Sequence, residues 1–183
     1  MTYPEYLEFE RSSAVKHEYL RGEIFAMAGG RPEHSRLAAN VIGELRTAPH
    51  GRPCAVFTSD ARVRIEATDR ATYPDVSVVC GRLESAPDDP DAITNPVVIV
   101  EVLSDATEAD DRGEKFAHYR RLASLREYLL VSQRARRLEV YRRRDDRWLL
   151  EEAGAGAVLH LESVDAALVV DEIYRDPLVP DGA

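Results

Sequence analysis

The sequence predicts an α/β (α+β) fold with a central mixed sheet flanked by helices. Three observations predict it. Predicted strands outnumber helices, yet helices interrupt them along the chain. Val76–Val79 and Val97–Val100 are nearly continuous apolar runs, as expected of central strands covered on both faces. A chain of 183 residues, 44% hydrophobic and 31% charged, can bury a core and has the size of one domain, taken as 1–183.

The elements follow in order. Thr2 and Glu5 have capping-box spacing with Pro4 in the first turn, which predicts a short helix over Tyr3–Glu10. His17–Ala26 reads as a strand pair around Arg21-Gly22, and Gly29-Gly30 is a turn that ends it. Pro32 starts a helix through Thr47, with Leu37, Ala38, Val41, Ile42 and Leu45 on one stripe. Ala55–Thr58 and Ala61–Ile65 read as strands paired across Ser59-Asp60. Strands over Asp75–Cys80 and Val97–Leu103 each follow a proline, and the acidic stretch Glu84–Pro96 between them reads as a linker. Ser104–Asp111 reads as a polar loop and Arg112–Leu122 as a helix with Asp111 and Glu114 at capping-box spacing, while Thr107 and Asp110 offer an earlier start that Gly113 disfavours. Glu127–Ser132 is a further strand, Leu138–Tyr141 and Trp148–Glu151 a hairpin, and Ala166–Tyr174 a last apolar segment.

The longest apolar runs fall far short of a bilayer span, and no basic-then-apolar leader precedes Tyr3, so neither a membrane-spanning protein nor a secretory precursor is expected. Cys54 and Cys80 cannot make a four-thiol zinc site or a disulfide framework. They read as small buried thiols in a reducing, cytoplasmic setting. A net charge of −9 argues against coating nucleic acid by bulk attraction and leaves room for a local basic groove. Of 24 basic residues, all but Lys16 and Lys115 are arginine.

Ionisable residues at the ends of apolar strands carry the chemical signal. Asp75 opens one central strand and Glu101 stands near the end of the next. A carboxylate there is expensive to desolvate unless it is paired or binds a cation. Oxygen donors without thiolates suit Mg²⁺ or Mn²⁺ rather than Zn²⁺. The bland reading has Asp75 capping a turn and Glu101 paired with an arginine. Lys115, fourteen positions after Glu101, either pairs with Asp111 on an exposed helix or points back to the carboxylates. In the second case it serves a water in line with a phosphate, which a lysine can do and an arginine cannot.

Three segments, Thr72–Val79, Asn95–Ser104 and Asp111–Tyr119, together resemble the Uma-type restriction endonuclease family. The resemblance begins at His17–Ile24, with His34 following on a helix, and extends through Arg126–Val131 and the C-terminal hairpin, covering nearly the whole chain. It implies a restriction-endonuclease-like core of the PD-(D/E)XK type with an extra C-terminal hairpin. Pro74-Asp75 would be the first motif and Glu101 the second acid. Position 103, where the motif lysine would stand, is Leu103, and Lys115 on the following helix would replace it. The implied activity is Mg²⁺-dependent hydrolysis of DNA phosphodiesters, Mn²⁺ being an alternative ion. Asp75, Glu101 and the Val102 carbonyl would hold the metal, Lys115 would serve the attacking water, and Glu18 would be an accessory acid. A two-fold homodimer is implied as well.

Other readings stay open. Glu18 faces the metal or makes a strand-end salt bridge with an arginine. His34 reads first as a satisfied, partly buried histidine, and Tyr119 as a packing residue. His17, His50, His118 and His160 share no ligand spacing. Arg134, Arg136, Arg137, Arg142, Arg143, Arg144 and Arg147 either contact phosphates or form a solvated hairpin face. The alternative functions are a catalytically silent nucleic-acid-binding or assembly module, and a hydrolase of a small phosphorylated molecule.

Overall fold

A computed structural model of the chain describes residues 1–27, 29–48, 51 and 53–179. It begins with α1 (Tyr3–Ser12), where Thr2 and Glu5 close the capping box. Strands β1 (His17–Leu20) and β2 (Glu23–Ala26) follow as an antiparallel hairpin. Arg21 and Gly22 both have positive φ, the geometry a two-residue primed turn demands. A Cβ at Gly22 would also lie 3.2 Å from the Met1 carbonyl oxygen. The long helix α2 (Pro32–Thr47) buries Leu37, Val41 and Leu45, the centre of its predicted stripe.

The remaining elements are β3 (Cys54–Thr58), β4 (Arg62–Ile65), β5 (Arg70–Thr72), β6 (Val76–Cys80), β7 (Ser85–Ala86), β8 (Asp89–Ile93) and β9 (Val98–Leu103). A helical segment then runs through α3 (Glu108–Asp110), a π turn over Asp111–Lys115 and α4 (Phe116–Tyr119). After it come β10 (Glu127–Ser132), β11 (Arg137–Arg144), β12 (Arg147–Gly154), β13 (Val158–Leu161), β14 (Ala166–Val169) and α5 (Val170–Ile173).

The strands form two six-stranded mixed sheets, ordered β2-β1-β5-β4-β8-β7 and β12-β11-β10-β9-β6-β3, and a small β13-β14 hairpin. In the second sheet β9 and β10 run parallel and the other pairs antiparallel. The apolar runs sit at its centre. Val98, Val100 and Val102 pack toward α2 and the β13-β14 hairpin. Ile99 and Leu103 pack on the other face with Tyr119, Leu122, Tyr128 and Leu130. Glu101 belongs by alternation to that second face, beneath the 108–119 helical segment.

Several expectations change. Ala55–Thr58 and Ala61–Ile65 do not pair with each other. The chain changes sheet at Ser59-Asp60, β3 pairing with β6 while β4 pairs with β5 and β8. Glu84–Pro96 is not a linker but carries β7 and β8. Its Asp89 is buried because Arg62 binds it with two hydrogen bonds of 2.8 Å and Tyr3 donates another. The helix after β9 starts at Glu108 rather than Arg112, so Asp111 is not its cap. β13 went unforeseen.

Cys54 and Cys80 correct the free-thiol reading. They are direct cross-strand partners of β3 and β6 and form a disulfide, which removes free thiols as a ground for expecting a reducing compartment. The bond closes a loop with a sequence separation of 26, enclosing β4, β5 and Asp75. Chain-entropy arguments place such a cross-link at about 3 kcal/mol. Thermal melts of the metal-free protein should therefore shift down in reductant, and by a similar amount in the Cys54→Ser/Cys80→Ser double variant. Melts indifferent to reductant would show that the cross-link adds no stability.

Candidate active site

The site lies where the C-terminal half of β9, the start of β6, β1 and β5 of the other sheet, and the 108–119 segment meet. The β6–β9 register, with Val76 opposite Val100, continues to place Asp75 opposite Glu101 on the same face. Two hydrogen bonds lock that end. Asp75 N–H donates to Glu101 Oε2 at 3.4 Å, and Val102 N–H donates to Asp75 Oδ2 at 2.8 Å.

Glu101 is 3% exposed. Tyr119 donates its hydroxyl to Glu101 Oε1 at 2.7 Å, and Lys115 Nζ lies 3.3 Å from the same atom. Lys115 Nζ also stands 2.9 Å from Asp111 Oδ1 and 3.8 Å from Glu18 Oε1. One ammonium thus serves three carboxylates from three elements. Glu18 is held from behind: Arg70 donates to its Oε2 at 3.0 Å, and Thr72 donates to its Oε1. Asp111 Oδ1 is buried without a well-directed hydrogen bond and depends on the Lys115 charge.

Burial pushes the Glu101 carboxyl up, reinforced by Asp75 and Asp111 and opposed by Lys115 and Tyr119. For Lys115, burial acts to lower the pKa, but Glu101, Glu18 and Asp111 outweigh it and raise the group above its ordinary value. Lys115 is accordingly a cation in this arrangement, not a ready base. Removing its charge alone would leave buried carboxylates uncompensated, at a cost of roughly 3–5 kcal/mol.

The structure thus places Asp75, Glu101, Lys115 and Glu18 together. The exposed-helix reading of Lys115 fails: the Asp111 pair exists, but it is buried, and the same ammonium also reaches Glu101 and Glu18. Asp111, Tyr119, Thr72 and Arg70 were not singled out as site residues from the sequence. For Asp111 and Tyr119 a signal was present, since both lie four positions from Lys115. His34 joins as well, its Nε2 3.2 Å from Asp75 Oδ2. Gly30 permits this approach, because a Cβ there would come within 3.0 Å of His34 Nδ1. Gly30 is therefore tied to the site, whereas a Cβ at Gly29 would meet nothing within 4 Å.

Among the described residues no group of three His, Cys, Asp or Glu side chains is arranged as a finished metal cage. The donor chemistry nevertheless fits a hard divalent cation. The groups that converge are carboxylate oxygens, they outnumber the cations beside them, and Asp111 Oδ1 lacks a directed donor. His17, His118 and His160 take no part in an ion-binding group, and His50 lies outside the described residues.

The hairpin arginines are mostly committed to carboxylates. Arg134 pairs with Asp105, Arg136 with Asp171, Arg137 with Glu139, Arg144 with Glu162, and buried Arg142 with Glu127, Glu151 and Glu162. Arg143 instead bonds main-chain carbonyls of Ala123 and Arg120 and lies over the Trp148 ring. Among the described residues Arg147 has no carboxylate partner.

His34 offers a test of this geometry. Its hydrogen bond to Asp75 raises its pKa, burial notwithstanding, whereas burial and then Arg70 lower that of His118. A raised histidine contributes stability that is complete below its unfolded value and lost as pH rises through the folded one. NMR titration of the metal-free protein should find His34 titrating above, and His118 below, an ordinary histidine. Asp75→Asn should bring His34 down while leaving His118 in place.

Comparison with known proteins agrees with the fold. Residues 3–171 match the profile of the family described as "Uma2: Putative restriction endonuclease". The chain is 38% identical over 172 residues to the uncharacterized protein slr1290 of Synechocystis sp., covering 93% of this chain and 90% of that protein. It is 37% identical over 153 residues to the uncharacterized protein sll1609 of the same organism, covering 83% and 86%. Its fold is similar to a crystal structure titled as "a putative nuclease belonging to DUF820" from Anabaena variabilis. The TM-score is 0.76 and the identity 18%, over 95% of this chain and 97% of that one. No helix among the described residues is long and apolar enough to cross a membrane. By the extent of the profile match and of the similarity to slr1290, the chain belongs to the Uma2 family.

Proposed function

We propose that the protein is a divalent-metal-dependent endonuclease that hydrolyses DNA phosphodiesters at the Asp75–Glu101 site. The observation that carries this reading is the convergence of Glu101, Glu18 and Asp111 around the single lysine of the site, with Asp75 joined to Glu101 through its main-chain N–H. Asp75, Glu101 and the Val102 main-chain carbonyl would hold Mg²⁺, or Mn²⁺ in its place. The ion would act as a Lewis acid on a phosphate oxygen.

The chain's own residues supply the rest. Lys115, kept protonated by its carboxylates, would donate hydrogen bonds to the attacking water and to a phosphate oxygen. That role differs from proton abstraction. Glu18, fixed by Arg70 and Thr72, is placed to accept a hydrogen bond from a water. Tyr119 holds the Glu101 carboxylate in one orientation, and His34 together with Val102 N–H does so for Asp75. Family membership and the nuclease-like fold support a nucleic acid substrate.

The test pairs binding with turnover. Mg²⁺ or Mn²⁺ should raise the melting temperature of the wild-type protein and support nicking of supercoiled plasmid, and chelator should abolish both. Asp75→Ala should lose both. Lys115→Arg, longer and planar, should keep the metal-dependent melting shift yet lose about 10²-fold or more in nicking rate. A wild-type protein that neither responds to metal nor cuts supercoiled, linear, single-stranded or branched DNA would instead be the silent module. Full activity in Lys115→Arg would remove Lys115 from the mechanism.

A further inference from the structure

The second sheet ends on β12, an eight-residue edge strand to whose outer side no strand is hydrogen-bonded among the described residues. Leu149 is 54% exposed and Leu150 50% exposed, on opposite faces of that strand. Edge strands are ordinarily protected by charge, proline or distortion. Here the middle of the strand is apolar, and charges stand only to either side, at Arg147 and at Glu151 and Glu152.

The direction of the free backbone groups follows from the inner pairing. Arg143 N–H donates to Arg126 O, toward β10, so by alternation the even-numbered residues of β11 bond toward β12. The register sets Arg142 opposite Leu149 and Arg144 opposite Arg147. The odd-numbered residues of β12 take those bonds. Trp148, Leu150 and Glu152 therefore direct their N–H and C=O groups outward.

We infer that this edge is a homodimer interface, where a second copy adds its own β12 antiparallel about a two-fold axis through Leu149. A two-fold perpendicular to a sheet keeps every residue on its own face, so the axis must fall on a residue. With Leu149 on the axis, Leu149 opposes itself, Trp148 opposes Leu150 of the second copy, and Arg147 opposes its Glu151. The Trp148–Leu150 pairs exchange the outward hydrogen bonds, while the Arg147–Glu151 pairs bring opposite charges together at both ends. Neighbouring registers lose this match. Centring on Leu150 sets Trp148 against Glu152 and Leu149 against Glu151. Centring on Glu151 sets like charges face to face, and centring on Trp148 sets Asp146 against Leu150. Cross-strand complementarity of this kind selects one register. The inference stands apart from the nuclease reading and uses no activity measurement.

Sedimentation or light scattering at tens of micromolar should give twice the 20.5 kDa chain mass. Arg147→Glu, an exposed substitution, should weaken the dimer about tenfold or more by placing like charges opposite each other twice. The double variant Arg147→Glu/Glu151→Gln, which removes the like-charge contact while keeping an acceptor for Arg142, should recover most of it. Because the native cysteines are paired with each other, Leu149→Cys should also give a disulfide-linked dimer on mild oxidation, and Glu152→Cys should not. Three results would each overturn the interface: a wild-type monomer at that concentration, an Arg147→Glu dimer of unchanged strength, or an Arg147→Glu/Glu151→Gln variant no stronger a dimer than Arg147→Glu alone.

Discussion

A carboxylate buried in a central strand is the constraint around which this structure is arranged. Glu101 interrupts the run Val98–Leu103, a strand buried along its whole length. An isolated charge there would cost several kcal/mol. Its compensation comes from three directions: a strand neighbour's N–H at Asp75, the Tyr119 hydroxyl, and the Lys115 ammonium. Each donor needs support of its own. Lys115 is balanced by Asp111 and Glu18, and Glu18 is gripped by Arg70 and Thr72 from the other sheet. The network thus joins two sheets that are otherwise hydrogen-bonded separately.

The second large ionic arrangement has a different character. Buried Glu127 accepts from the N–H groups of Glu162 and Ser163 and pairs with Arg142, which also reaches Glu162 and Glu151. This ties the turn after β13 to the start of β10. It is a structural ion-pair network in which Arg142 Nε faces Glu127 by charge without a directed hydrogen bond, and it accounts for part of the arginine density that composition alone leaves ambiguous.

Much of this was legible in the sequence, and the exceptions share a cause. The limits of α2 and β10 follow from local signals: a proline start, an apolar stripe, a bounded apolar run. Asp75 and Glu101 stand out because ionisable groups in apolar strands need an explanation, Lys115 because it is one of two lysines in an arginine-rich chain, and Glu18 only through the family resemblance. The misses are matters of partner choice at long range. β3 and β4 have the local pattern of a hairpin, yet each finds a better partner elsewhere. The 84–96 segment looked like linker because its acids seemed destined for solvent, while Arg62 and Tyr3, remote in sequence, make burial of Asp89 possible. Thr72 and Arg70 carry no local sign of a site role, which arises only when β5 is laid beside β1.

The π turn within the 108–119 segment has a consequence for how this stretch can vary. Asp111, Lys115 and Tyr119 are spaced by four, and in an uninterrupted α-helix each such step overshoots a full turn, so the three would fan out around the axis. A π turn is wider, and a step of four within it falls short of a full turn. The overshoot and the shortfall offset each other, which brings the first and third residues back into line beneath the sheet. Deleting one residue between Asp111 and Lys115 would restore ordinary helix with the two residues three positions apart, where three steps of about 100° leave Asp111 about 60° off the direction of the lysine, a wider offset than the π turn leaves. The segment is therefore gauged by its residue count: it can absorb a change of side chain at Gly113, where a Cβ would meet nothing within 4 Å, more readily than a change of length.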